Sequence, residues 1–430
     1  MSEQSRSSWA RWRAPLVACA AVLLSVAATS CTENLDGGLA CPTLCPEQEQ
    51  PFRDTLFDAV VLDTSLSGYP TLGLSSALLL ANRPDTLVTR AVMRFDQLTT
   101  SYLPNGTGTL DSITTVDSVY LVLPLDTTGR RGTSPVTLEL FDVDTTASDS
   151  VASVVRSLFR PDRRIGSLTL TPSATGDSIR IPISRTVMER KLLDRARMRV
   201  GVQISSGAGQ LRLRAFNLGA GAPSLRYDPR TDTTYRPISV ITSTTISGAT
   251  TDVLLAYQVY AITEVGSPGL EPNTLVVGGY PAFRSYLRFN VPLRITDSST
   301  IVRAELLLTQ KRSRFGNTLD TVGLIPLVPT TTDAITDLRR ALDMAAEGAF
   351  ASVDSAVLVP ADSGLRVINV LAMARTWRTL PTNVPRAIAF RIGFEGAQPA
   401  ELRFFNSKAA APLRPRLRIT YLPRAEFVLP

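Results

Sequence analysis

Three groups of side chains have the type and spacing to meet a ligand: arginines at a period of two, tyrosines beside prolines, and a short run of aspartates. Arg414, Arg416 and Arg418, and likewise Arg212 and Arg214, fall on alternate positions, which places each set on one side of a strand. Such a row can hold carboxylates or phosphates bidentately. It can equally be a solvated strand face whose charge discourages edge pairing. Tyr69 precedes Pro70, Tyr102 precedes Leu103-Pro104 and Tyr280 precedes Pro281. A loop-borne ring can stack on the C–H face of a sugar, or it can be a turn residue and nothing more. Asp142, Asp144 and Asp149 gather carboxylates within a few positions and are the candidates for a structural calcium ion, although the EF-hand order with its central glycine is missing. No other cofactor is expected.

The remaining chemistry is mostly excluded. The 430 residues include no histidine, which removes Ser-His-Asp and Cys-His catalysis, His-ligated metals and imidazole switches. No GxSxG, phosphate-binding loop, dinucleotide fingerprint or CxxC pair occurs. Glu139, Glu305, Glu395 and Glu401 lie in or beside strand-like sequence, but glycoside hydrolysis needs two carboxylates facing across a cleft, which strand spacing does not supply. The protein is expected to be non-catalytic; a polysaccharide lyase or hydrolase with unrecognised carboxylates is the alternative. Formal charge is 45 − 38 = +7. That excess is mild for this length and suggests no nucleic acid.

Beyond Phe52, short runs of Val, Ile, Leu and Thr are broken roughly every 8 to 12 residues by Gly, Pro, Asp and Ser, the pattern of an all-β sandwich. Residues 118–123, 136–141, 303–308 and 416–421 each offer one face to bury, and Asn105-Gly106-Thr107-Gly108 and Gly129-Arg130-Arg131-Gly132 suit hairpin turns. Helical pattern is confined to residues 150–159, 186–198, 332–350 and 370–377. On the last of these, Trp377 shares an apolar face with Val370, Met373 and Ala374, which favours a core position over a ligand platform.

Four sequence blocks recur in one order. Val92-Met-Arg-Phe-Asp96 answers Tyr286-Leu-Arg-Phe-Asn290, and Ser178-Ile-Arg-Ile-Pro-Ile183 answers Leu365-Arg-Val-Ile-Asn-Val370. Val200–Ile204 with Gly209–Asn217 answers Ile388–Ile392 with Ala400–Asn406, and the proline-flanked strand near Leu225 answers the one near Leu417. The asparagines are 406 − 217 = 189 positions apart and the first pair of arginines 288 − 94 = 194. Collinear blocks at nearly one offset indicate a tandem duplication. The expected division is a first β-sandwich at 52–230, a linker at 231–238, a second sandwich at 239–424 and a tail at 425–430.

Arg6, Arg11 and Arg13 precede an apolar run from Ala14 to Ala28, which ends in Ala28-Thr29-Ser30-Cys31. The run is short for a membrane span. It resembles a bacterial lipoprotein signal peptide over residues 1–30, with Ala28 where the family usually carries a larger aliphatic residue. The resemblance implies export, acylation of Cys31 and a membrane anchor, with residues 31–51 as a flexible tether. Cys41 and Cys45 then remain as a candidate disulfide in an oxidising compartment.

The strand order of each copy resembles the DNRLRE domain, a jelly-roll module of bacterial surface and secreted proteins related to certain carbohydrate-binding modules. Arg284, Leu287-Arg-Phe289, residues 302–308, Val367, Trp377, Phe405-Asn-Ser-Lys408 and Pro415-Arg-Leu417 carry the likeness. The first copy lacks a tryptophan matching Trp377. The resemblance implies two tandem jelly-roll-type antiparallel β-sandwiches with a few short helices, and a protein that meets polysaccharide. A structural or assembly protein that binds other envelope proteins and no sugar is the rival reading.

Overall fold

The computed structural model describes residues 52–423 except 70–76, 105–107, 127–134, 172–176, 208, 216–220, 231–236, 246–256, 267, 314, 316–320, 333–334, 336–340, 342–349 and 353–354. Cys31, Cys41, Cys45, the Gly129–Gly132 turn and nearly all of the helix expected at 332–350 lie outside the described residues.

The chain is all-β, and its strands run in the order in which alternation writes them. The first half supplies β1 (Arg53–Phe57), β2 (Val60–Tyr69), β3 (Ala77–Arg83), β4 (Leu87–Phe95), β5 (Ser101–Tyr102), β6 (Asp111–Ser112), β7 (Val116–Pro124), β8 (Val136–Asp142), β9 (Arg164–Leu170), β10 (Ser178–Pro182), β11 (Met198–Ser206), β12 (Gly209–Arg214) and β13 (Ser224–Pro229). The second half supplies β14 (Ile238–Ile241), β15 (Val259–Val265), β16 (Thr274–Gly278), β17 (Ala282–Phe289), β18 (Ser299–Lys311), β19 (Val322–Pro329), β20 (Phe350–Ser352), β21 (Ala356–Leu358), β22 (Gly364–Asn369), β23 (Arg386–Ile392), β24 (Glu401–Phe405) and β25 (Arg416–Pro423). Strand β25 shows the logic: Leu417, Ile419 and Tyr421 are buried while Arg416, Arg418 and Thr420 between them are not, the period-two division of a sheet with one wet face.

Two sandwiches result, each with its own hydrophobic core. In one, the sheet β12-β3-β4-β11-β8-β9 packs its Met93, Leu138, Val200 and Val202 against Leu121, Leu123, Ile181 and Leu225 of the sheet β10-β7-β13-β14. In the other, β24-β16-β17-β23-β19-β20 faces a layer in which β18 lies between β22 and β25, and Val277, Leu287, Ile388 and Phe390 meet Leu306, Ile368 and Leu417. Gln310 and Lys311 at the end of β18 also pair with Phe404 and Arg403 of β24, so the two layers of this sandwich join along one edge. The two strand orders correspond place by place, and the recurring blocks occupy corresponding strands.

Pairing crosses the expected boundary at both ends, which corrects the 52–230 and 239–424 division. Strand β1 pairs with β25 and β2 runs the whole length of β17, from Ala282 opposite Tyr69 to Phe289 opposite Val60. Conversely, β14 pairs with β13 and β15 with β4. The first sandwich is thus built from residues 77–265 and the second from 52–69 together with 274–423. Alternation fixes which face of a strand is buried but does not specify the neighbour that supplies its hydrogen bonds.

Helices are short. Among the described residues they are α1 (Ala152–Ser157), α2 (Arg185–Leu193), α3 (Leu293–Thr296) and α4 (Leu371–Trp377). The pattern at 186–198 ends early because Arg195 turns to a positive φ of 48°, after which Met198 opens β11. Trp377 is buried at the end of α4, its ring 5.7 Å from that of Phe289 and its Nε1 donating to the Ala387 carbonyl at 3.1 Å.

Candidate functional site

The three tyrosines expected on the surface are buried. Tyr69 is 2% exposed and Tyr102 and Tyr280 are each 4% exposed, so none offers a flat face to a sugar. The neighbouring prolines mark where strands end, and at those ends the rings turn inward, keeping the polar tip bonded as amphipathic rings do. The Tyr69 hydroxyl shares a 2.8 Å hydrogen bond with that of Tyr286, and the Arg284 guanidinium lies 4.1 Å above its ring while holding Glu395 bidentately at 2.9 and 2.7 Å. Burial, then the neighbouring Tyr286, raises the Tyr69 pKa far above the usual phenol value. Burial likewise raises Tyr280, and pushes Tyr227 up from 10.0 to about 12.

A raised phenol pKa favours the neutral form in the folded state, so its stabilisation is complete below the unfolded pKa and is lost as pH climbs through the folded one. We expect the melting temperature to fall steeply between pH about 10 and about 12, together with a cooperative rise in tyrosinate absorbance. A gradual, non-cooperative phenol titration with unchanged melting would contradict this.

The arginine row is reduced. Arg416 and Arg418 do share the outer face of β25, and Arg418 reaches Glu305 at 3.7 Å. Arg414 lies before the strand, where its Nε donates to the Ala409 carbonyl at 2.7 Å and its Nη1 stands 3.7 Å from Asp58. The aspartates do not converge on a cation. Asp142 and Asp144 face Lys191 at 3.0 and 3.5 Å, and Arg197 adds a 2.9 Å bond to Asp144. Asp149 is buried separately with Arg94 and Arg199. Guanidinium and ammonium groups stand where calcium would have to, and among the described residues no three such ligands come together.

What the fold does assemble is a cleft of 440 Å³ between the β3–β4 turn, the β15–β16 connection and strand β24. On β24 the apolar Leu402 and Phe404 enter the core, so Glu401 and Arg403 share the opposite face. That face is nonetheless covered: Glu401 is 0% and Arg403 4% exposed. Arg403 Nε donates to Glu401 Oε1 at 2.6 Å, and the Ser313 hydroxyl bonds the same oxygen at 3.0 Å. Register places Lys311 directly opposite Arg403. Two cations facing each other across a ladder repel, and Glu271 answers both, with Oε1 2.9 Å from Arg403 Nη1 and Oε2 accepting from Lys311 Nζ at 2.7 Å. The hydrogen bond from Lys311 is the main cause that holds the Glu271 carboxyl below the ordinary carboxylate pKa.

Among the described residues, Asp85 and Thr86 from the β3–β4 turn, Arg312 after β18 and the buried ring of Phe315 also line the cleft. Gly266 is required where it stands, because a Cβ there would run into the Tyr280 carbonyl oxygen. Both Nη atoms of Arg403 are buried without a hydrogen-bond partner among the described residues. The cleft therefore holds unmade donors, carboxylate acceptors and an aromatic wall within one depression. From the sequence, Glu401 reads only as a strand carboxylate and Arg403 carries no role; the signal for both is the Glu401-Leu-Arg403 alternation, which puts two opposite charges on one face of a strand.

No protein family model matches the chain, and no curated protein is similar to it.

Proposed function

We propose that the chain is an exported, lipid-anchored, non-catalytic envelope or cell-surface protein, one β module written twice, that binds polysaccharide in the cleft beside β24. The single observation that carries this reading is the mixture of groups there. Sugar hydroxyls both donate and accept, and the cleft offers guanidinium donors at Arg403 and Arg312, acceptors at Glu271 and Asp85, and an apolar wall at Phe315. Its volume falls within the range of small-molecule and oligomer sites. The carboxylates favour binding over hydrolysis. Glu271 and Glu401 are bridged by one guanidinium, whereas a glycosidase spaces its pair across the scissile bond and keeps one protonated. Glu271, held ionised by Lys311 and Arg403, is the wrong kind of group to donate that proton. Export and anchoring rest on the arginine-flanked apolar run and Cys31.

The open outer face of β22, with Leu365 and Val367 each 53% exposed, favours the rival reading of an assembly protein that meets other proteins. The full chain in detergent, probed on an array of neutral and acidic polysaccharides, separates the two. Binding to a glycan class that is lost with Thr86→Trp, a substitution that fills the cleft from its exposed rim, is the expected result. No binding above background to any polysaccharide would remove the glycan reading. In the same preparation, the mass of the mature N-terminus is expected to show an acylated Cys31.

A further inference from the structure

The cleft carries more than a general affinity for hydroxyls. Arg403 is almost completely buried, yet both of its Nη atoms lack a hydrogen-bond partner among the described residues. Buried guanidinium donors left unmade are costly. Glu401 takes Nε at 2.6 Å and is itself wholly buried, so it is a fixed part of the wall. Glu271 differs. It stands 2.9 Å from Nη1 without making a hydrogen bond to it, and its side chain is 53% exposed on the β15–β16 connection at the rim. Of the three carboxylates that line the cleft among the described residues, Glu271 is the exposed one that contacts the guanidinium.

Charge counting agrees. Among the described residues, Arg403, Lys311 and Arg312 stand with Glu401, Glu271 and Asp85 around the cleft, three cations with three carboxylates. With Glu271 swung out toward solvent, three cations face two carboxylates, and one further negative charge balances the site. Bidentate carboxylate is the group that matches two parallel N–H donors on one guanidinium.

We propose that Glu271 is a built-in stand-in for a ligand carboxylate, and that the cleft takes an acidic glycan whose carboxylate displaces Glu271 from the Nη edge of Arg403. This rests on the glycan-binding reading of the same cleft. The Glu271 side chain is 53% exposed at the rim, so the exchange needs only a side-chain rotation that carries its carboxylate into solvent. The device sets a threshold: a neutral chain gains little from moving Glu271, whereas a uronate replaces one charge-assisted contact with two.

The test uses the full chain in detergent, a galacturonate tetramer and the methyl ester of that tetramer, read by titration calorimetry. Glu271→Gln keeps the shape of the rim and removes its charge; at a half-exposed position it leaves folding intact, which a thermal melt checks. The acid tetramer is expected to bind Glu271→Gln about tenfold more tightly than the unaltered chain, a gain that the ester does not share. Equal affinity of the acid tetramer for the two proteins overturns the stand-in role. If Thr86→Trp then still abolishes ester binding, the glycan-binding cleft survives that failure. If Thr86→Trp leaves every titration unchanged, the cleft reading falls with it. Failure of the acid tetramer to bind both the unaltered chain and Glu271→Gln overturns the acidic-glycan assignment.

Discussion

Deleting residues 52–69 is expected to unfold the second sandwich and leave the first one folded. The segment lies at the N-terminal edge of the body, yet its contacts are with residues more than 200 positions away. Strand β2 hydrogen-bonds along the whole of β17, and β1 along β25. Ser65 sits within this junction, its hydroxyl 2.8 Å from that of Ser285 and accepting from the Val276 amide at 2.9 Å. The Ala59 carbonyl accepts from Asn290, and Asp63 accepts the Ser407 amide at 2.6 Å. Removing the segment exposes the β17 edge, uncovers the core around Phe289 and Tyr286, and leaves buried backbone groups unpaired. A domain's whole stability is about 5–15 kcal/mol, and the loss of two strands exceeds what such a margin tolerates.

Limited proteolysis with mass spectrometry reads the outcome. The deletion variant is expected to yield a protected fragment close to residues 77–265, because β14 and β15 close the first sandwich on β13 and β4. A peptide of residues 52–69 added in trans is expected to restore protection of 274–423. The opposite pattern, with the first half digested and the second half protected, would return the division to one in which each copy closes on its own leading strands.

Much of this architecture is legible in the residues. The alternation of Leu417, Ile419 and Tyr421 with Arg416, Arg418 and Thr420 announces a half-wet strand, and the structure places each where its parity requires. What the alternation cannot carry is partnership. Sequential strands usually neighbour one another, so β1 and β2 read as the start of the first sandwich, and only the ladder assigns them to the second. The cleft is hidden for the same reason. Arg403 lines the cleft together with the β3–β4 turn and the β15–β16 connection, which come from distant parts of the sequence. Tyr69 and Tyr280 mislead through their prolines: a turn signal fixes the path of the backbone and says nothing about which way the preceding ring faces. The acidic run from Asp142 to Asp149 misleads through proximity, since residues on either side of a strand end diverge in space.

That divergence makes Asp149→Ala the most damaging single substitution we expect. Asp149 is buried where β4, β11 and β15 meet, with Arg94 and Arg199 as its cationic partners and the Tyr260 hydroxyl donating to its Oδ1 at 2.6 Å. Arg94 also pairs with Asp96, so two guanidinium groups and two carboxylates balance within one dry volume. Removing Asp149 leaves that volume with one uncompensated positive charge and strips Tyr260 of its acceptor. Breaking one partner of a buried pair costs about 3–5 kcal/mol, and Tyr260 belongs to β15, so the damage reaches the strand that closes the first sandwich. Asp149→Asn keeps the shape and one acceptor oxygen but not the charge, and a smaller loss is expected. Chemical denaturation measures both. If the role is charge balance, calcium chelation leaves the unaltered protein's midpoint unchanged and the two variants rank Ala below Asn. A midpoint that falls on chelation, or an Asp149→Ala protein as stable as its parent, would show that the aspartate is not the counter-charge of Arg94 and Arg199.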